Sequence, residues 1–127
     1  LAQQAAAQPL GTAALRSARW LLREPGSGTR EMVEHALLPQ LHQLPAAATL
    51  GSSEAIARCV AQGLGISCLP RVLVQPLVDA GDLVVLPTAL PRMQRHFSLL
   101  QRAGKRHSPA LAAFVQACYQ FAPGERA

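Results

Sequence analysis

What the chain has little of narrows it first. Aromatic residues make up 4% of its 127 positions, as one Trp, one Tyr and three Phe. No basic run alternates with them, so a stacking platform for single-stranded nucleic acid is excluded. No run of about 18 apolar residues occurs, which excludes a transmembrane helix. The longest uncharged stretch, His35 to Ser53, is broken by Pro39, Pro45, Gln40, Gln43 and two histidines. Cysteine is scarce and odd in number: Cys59, Cys68 and Cys118, with no CxxC. That pattern predicts free thiols in a reducing compartment, hence a cytoplasmic protein. The four histidines (His35, His42, His96, His107) form no HExxH and no i, i+4 pair, so no metal is expected.

Catalytic signatures are missing too. Gly26-Ser27-Gly28 is not GxSxG, because Pro25 and Thr29 stand where the two glycines are needed. There is no GK[ST], and Gly63-Leu64-Gly65 lacks the third glycine of GxGxxG. The acids (Glu24, Glu31, Glu34, Glu54, Asp79, Asp82, Glu125) look like helix-start or turn residues and offer no evident pair for general acid–base work. No nucleophile–base set can be argued from spacing. The expectation is a non-enzyme without cofactor. The chain begins with Leu and shows no basic-then-apolar signal segment, so it reads as a piece of a longer polypeptide.

What is present is a globular composition: 50% hydrophobic and 15% charged. That suffices for a core and argues against disorder. The net charge is +5, from eleven Arg and one Lys against seven acids. Such a balance suits nucleic acid, an anionic ligand or simply a solvated basic face. Arg92, Arg95, Arg102, Lys105 and Arg106 share a window with no acid between Asp82 and Glu125.

Periodicity predicts alternating strands and helices. Residues 1–15 are Ala/Gln-rich with weak helical character, interrupted by Pro9 and Gly11. Arg19 to Arg23 is a short apolar run with polar ends, a buried strand. A helix begins at Thr29, with Met32, Val33, Ala36, Leu37 and Leu41 on one stripe and Pro39 ending or kinking it. Ala47 to Leu50 is a second strand, followed by a helix capped at Ser52 or Ser53. Ile66 to Leu69 is a third, apolar throughout and so covered on both faces. A short helix after Pro70, interrupted by Pro76, runs to Ala80-Gly81. Leu83 to Leu86 is a fourth strand and Arg95 to Gln101 a fifth. Ser108-Pro109 opens a final helix to about residue 120, its stripe Leu111, Phe114, Val115, Cys118 and Phe121 in need of a partner. The order implies an α/β fold, an open sheet with flanking helices.

Two loops share one geometry. Glu24 to Thr29 and Leu50 to Ser53 each leave the carboxyl end of a strand and open a helix. Ligands of open α/β sheets collect there, and free N–H groups at a helix start favour anions. Small Ser, Gly and Thr side chains let a ligand reach the backbone. The two loops predict a site for a carboxylate or similar oxyanion; as ordinary caps they would look the same.

Trp20-Leu-Leu-Arg-Glu-Pro-Gly-Ser-Gly-Thr-Arg30 resembles a segment of the effector-binding domains of LysR-type transcriptional regulators. Gly51-Ser-Ser-Glu-Ala-Ile56, Val60-Ala-Gln-Gly-Leu-Gly-Ile-Ser-Cys-Leu-Pro70 and Gly81-Asp-Leu83 follow in the family's order and spacing. Arg95-His-Phe-Ser-Leu-Leu and Ser108-Pro-Ala-Leu-Ala-Ala-Phe114 resemble its closing strand and helix, so the likeness covers residues 15 to 120. The resemblance implies a fold like a type 2 periplasmic binding protein, two α/β subdomains around an effector cleft. Residues 1–14 would be a hinge or linker, 15–92 the second subdomain, 93–121 the strand and helix that return to the first, and 122–127 a tail. The implied function is effector sensing, with DNA bound only through a winged helix absent from this chain. The implied partners are a small, carboxylate-like effector and a second copy of the protein, met in part through the helix from Thr29. Cleft residues would be Ser27, Gly28, Thr29, Gly51, Ser52 and Ser53, with Pro70 a weaker candidate. The other reading is a fragment of a periplasmic solute-binding protein of the same fold.

Overall fold

The computed structural model describes residues 9–104 and 106–121. The expectations for residues 1–8, Lys105 and the tail 122–127 lie outside them. The chain divides into two compact units, Leu1–Met93 and Gln94–Ala127.

The first unit is mixed α/β. Its elements are α1 (Thr12–Arg16), β1 (Trp20–Arg23), α2 (Gly28–Leu41), β2 (Ala46–Leu50), α3 (Ser53–Ala61) and α4 (Arg71–Asp79). β1 and β2 pair in parallel, Leu21 opposite Ala48 and Arg23 opposite Leu50, with a register slip after Trp20. Parallel neighbours need a long crossover, and α2 supplies it. Ile66 bridges Trp20 on the other side of β1. β1 is therefore central.

That position explains its composition. Trp20, Leu21 and Leu22 are all buried. Trp20 and Leu22 point to one side and meet Leu10, Leu15, Ala18 and the α2 stripe Val33, Leu37, Leu41. Leu21 points the other way; α3, which contacts β1, buries Ile56 and Ala57. The Trp20 indole N–H would be costly in such a core, and it donates to the Leu15 carbonyl at 2.8 Å. β2, by contrast, leaves Ala46 to Thr49 exposed.

Pro39 does not end α2. It lies in the last turn, and the helix continues to Leu41, which is completely buried. That burial holds the turn Pro39 would otherwise release. The helix stops at His42, in a left-handed conformation (φ 61°), whose N–H donates to the Leu38 carbonyl at 2.8 Å.

Three expected strands are not strands. At Ile66–Leu69 the third shrinks to one bridge. Ile66 N–H donates to the Arg19 carbonyl and its own carbonyl accepts from Leu21 N–H, both at 2.9 Å. The next acceptor of a parallel ladder, the Leu21 carbonyl, takes the Ser67 hydroxyl instead, at 2.7 Å. Residues 66–69 are also half-buried rather than covered on both faces. At Leu83–Leu86 the Leu83 N–H is taken by the Leu77 carbonyl of α4 at 3.1 Å, and Val84 and Val85 face solvent. The segment meets its neighbour later, where Leu10 N–H donates to the Pro87 carbonyl at 2.9 Å.

In the second unit, Arg95–Gln101 is exposed and without strand structure. A strand is a paired object, and among the described residues nothing pairs with this one. The final helix, α5 (Pro109–Phe121), forms as expected. The Ser108 hydroxyl accepts from Leu111 N–H at 3.3 Å, and no residue of α5 is buried. No described helix is long and apolar enough to cross a membrane.

Candidate functional site

The two loops, alike in sequence, differ in structure. After β1 the chain makes a β-turn: Ser27 N–H donates to the Glu24 carbonyl at 3.1 Å, and Gly26 has φ 84°. Pro second and Gly third are what a type II turn requires. Ser27 is the N-cap of α2, yet its side chain makes no capping bond. Its carbonyl takes the first helical bond, from Glu31 N–H at 2.9 Å. The N–H groups of Gly28, Thr29 and Arg30 thus have no acceptor within the helix. Ser27 is buried, Gly28 exposed and Thr29 half-buried.

The α3 start satisfies itself. The Ser52 hydroxyl accepts from Ala55 N–H at 3.2 Å and donates to Glu54 at 2.8 Å. The buried Ser53 hydroxyl accepts from Arg23 Nη1 at 3.0 Å. Gly51 is exposed in the turn before it. Pro70 caps α4, exposed, outside this network.

Arg23 joins the loops. From the last position of β1 its Nε and Nη2 donate to the two oxygens of Glu24, each at 2.8 Å, while Nη1 reaches Ser53. Its carbonyl accepts from Arg30 Nη1 at 2.9 Å, and Arg30 Nε donates to Glu34 at 2.7 Å. The carboxyl ends of β1 and β2 and the starts of α2 and α3 are thereby tied together. The sequence marks Arg23 and Arg30 only by their placement, one closing a strand and one in the first turn of the next helix.

The pairing shows in ionisation. The Arg23 hydrogen bonds, then a bond from its own backbone, lower the Glu24 carboxyl from 4.5 to about 2. The Ser52 hydroxyl likewise lowers Glu54. A carboxyl with a depressed folded pKa stabilises the fold above its unfolded value, and that contribution fades as pH falls from about 4.5 to about 2. Arg23→Met should flatten this stretch of the stability–pH curve. Urea midpoints followed by circular dichroism across that range check it, and an unchanged slope would contradict the pairing. Because Glu24 is well exposed, the effect is screened and small.

The loops line neither of two cavities found in the first unit. What they offer is an open wall of hydrogen-bond donors and ion pairs, whose chemistry is binding. Among the described residues no group of three or more His, Cys, Asp or Glu is placed to hold a metal ion. Cys59, Cys68 and Cys118 are free and half-buried, and burial pushes the Cys68 thiol up.

Comparison with known proteins places this geometry in context. The profile of the LysR substrate binding domain matches residues 1–122. The HTH-type transcriptional regulator YeiE of Escherichia coli K12 is 42% identical over 110 residues, 87% of this chain and 38% of the regulator. The RuBisCO operon transcriptional regulator of Acidithiobacillus ferrooxidans is 36% identical over 108 residues, 85% of this chain and 34% of its own length. CfxR of Cupriavidus necator, another HTH-type transcriptional regulator, is 36% identical over 96 residues, 76% of this chain and 30% of its own. The chain thus spans between 30% and 38% of these relatives.

Proposed function

The chain belongs to the family of LysR substrate-binding domains, and from that premise we propose that it is the effector-sensing part of a LysR-type transcriptional regulator. The effector is a small organic anion held at the start of α2. The observation that carries this reading is the asymmetry of the two loops: α3 is capped by its own serine, whereas α2 begins with free N–H groups and an uncommitted Ser27 hydroxyl. A helix start with open donors favours an anion. Arg23 and Arg30 are held by their own acids, so Ser27, Gly28 and Thr29 take the ligand while Gly51, Ser52 and Ser53 fix the neighbouring wall. Pro70 is a peripheral contact.

In the complete protein, residues 15–92 form the second subdomain, and 93–121 return to the first. The effector binds one relative position of the subdomains better than another, and the population shifts by that differential affinity. A winged helix outside this chain reads the shift on DNA, in the cytoplasm. Two copies pair in part through the outer face of α2, where Glu31, His35 and Leu38 are exposed. The relatives, all transcriptional regulators, do not favour a periplasmic solute-binding protein.

Thermal-shift titration of the complete regulator against small mono- and dicarboxylates tests the reading. A carboxylate should raise Tm, and Ser27→Ala or Thr29→Val should each weaken its binding about tenfold by removing a donor to a charged group. Binding that ignores both changes would move the effector away from α2.

A further inference from the structure

β1 has a second end. The candidate loops leave its carboxyl end; beside its amino end Arg19 lines an open cavity of about 620 Å3. Leu64, Ile66 and Val84 form apolar wall, and Asp82 completes the rim. Three glycines of that lining, Gly63, Gly65 and Gly81, keep the floor free of side chains. Gly65 presses against β1 so closely that a Cβ there would collide with the Arg19 carbonyl.

The two charges on this cavity are uncommitted. Arg19 and Asp82 are both exposed, and neither forms an ion pair among the described residues, with each other or elsewhere. Asp82 also stands at an electrostatically poor place for a carboxylate. Its N–H donates to the Leu77 carbonyl at 2.9 Å, just past the end of α4. The negative end of a helix favours a cation. A guanidinium, a carboxylate awaiting a cation and an apolar wall on one cavity complement a small zwitterion with an apolar side chain.

We propose that this cavity is a second ligand site, for a free α-amino acid with an aliphatic side chain. The ligand's carboxylate meets Arg19, its ammonium meets Asp82, and its side chain lies against Leu64 and Val84. The site is at the opposite end of β1 from the α2 start and stands whether or not an anion binds there.

Titrating the ¹⁵N-labelled chain with L-leucine tests it. The amides of Gly63, Gly65 and Gly81 should shift, and those of Gly26, Gly28 and Gly51 should stay. 4-Methylpentanoate, which lacks the ammonium, and 3-methylbutylamine, which lacks the carboxylate, should bind about tenfold more weakly or worse. Arg19→Gln and Asp82→Asn should each weaken L-leucine by a similar factor. No shift with L-leucine, equal binding of all three compounds, or shifts confined to Gly26, Gly28 and Gly51 would each overturn the proposal.

Discussion

Trp20→Ala should cost about 3–5 kcal/mol, enough to unfold much of the first unit at room temperature. The ring is buried in one cluster with Leu22 of the same strand and with Leu15, Leu37 and Leu41, which come from both sides of β1 in sequence. Its removal leaves a hole that α1 and α2 must both move to fill, and it takes the indole donor from the Leu15 carbonyl, which keeps only the longer bond from Ala18 N–H at 3.4 Å. Trp20→Phe separates the two losses. It keeps most of the volume but not the donor, and should cost about 1–3 kcal/mol. Urea unfolding followed by circular dichroism measures both. A Trp20→Ala midpoint at the level of the unsubstituted chain would mean that β1 is not the centre of the core.

Gly65→Val should be nearly as damaging, at about 1–3 kcal/mol or more. The backbone of Gly65 is not strained; the reason for glycine is space. A Cβ would meet the Arg19 carbonyl and, at 3.3 Å, the Leu21 side chain. The carbonyl belongs to the backbone that Ile66 bonds, so relief must break the Trp20–Ile66 bridge. Gly51→Ala serves as the contrast. A Cβ there has nothing within 4 Å, and the change should stay within about 0.5 kcal/mol. Equal stabilities of the two variants would show that the close approach is not a constraint.

The helices were legible because their signals are local. Apolar residues at i, i+3 and i+4, Ser52 before Glu54 and Ser108 before Pro109 need no distant partner to be understood. The strands were legible only where a neighbour exists. Trp20–Arg23 and Ala46–Leu50 find each other, whereas Leu83–Leu86, apolar throughout, and Arg95–Gln101 show no ladder. A strand's formation depends on a partner that its own residues do not encode. Pro39 misled for a related reason, since the burial of Leu41 that overrides it is a tertiary fact. The same holds around the loops. Their small residues marked them, but it takes the folded chain to occupy Ser52 and Ser53, to leave Ser27 without a capping bond and to stretch Arg23 across both.

The central place of β1 also sets a timetable. Apart from Leu10, Leu15 and Ala18, the residues that cover it arrive later in synthesis, and the Ser67 hydroxyl that closes its far side lies 46 positions downstream of Leu21. At about 5–20 residues per second, a ribosome needs roughly 2–9 s to add them. Until β2 follows, Trp20, Leu21 and Leu22 form an apolar run with no strand to join, and until Ser67 follows one side of the strand stays open. A strand enclosed in the finished unit is therefore one that a nascent chain leaves open for seconds, and it is where a holding chaperone would find its grip.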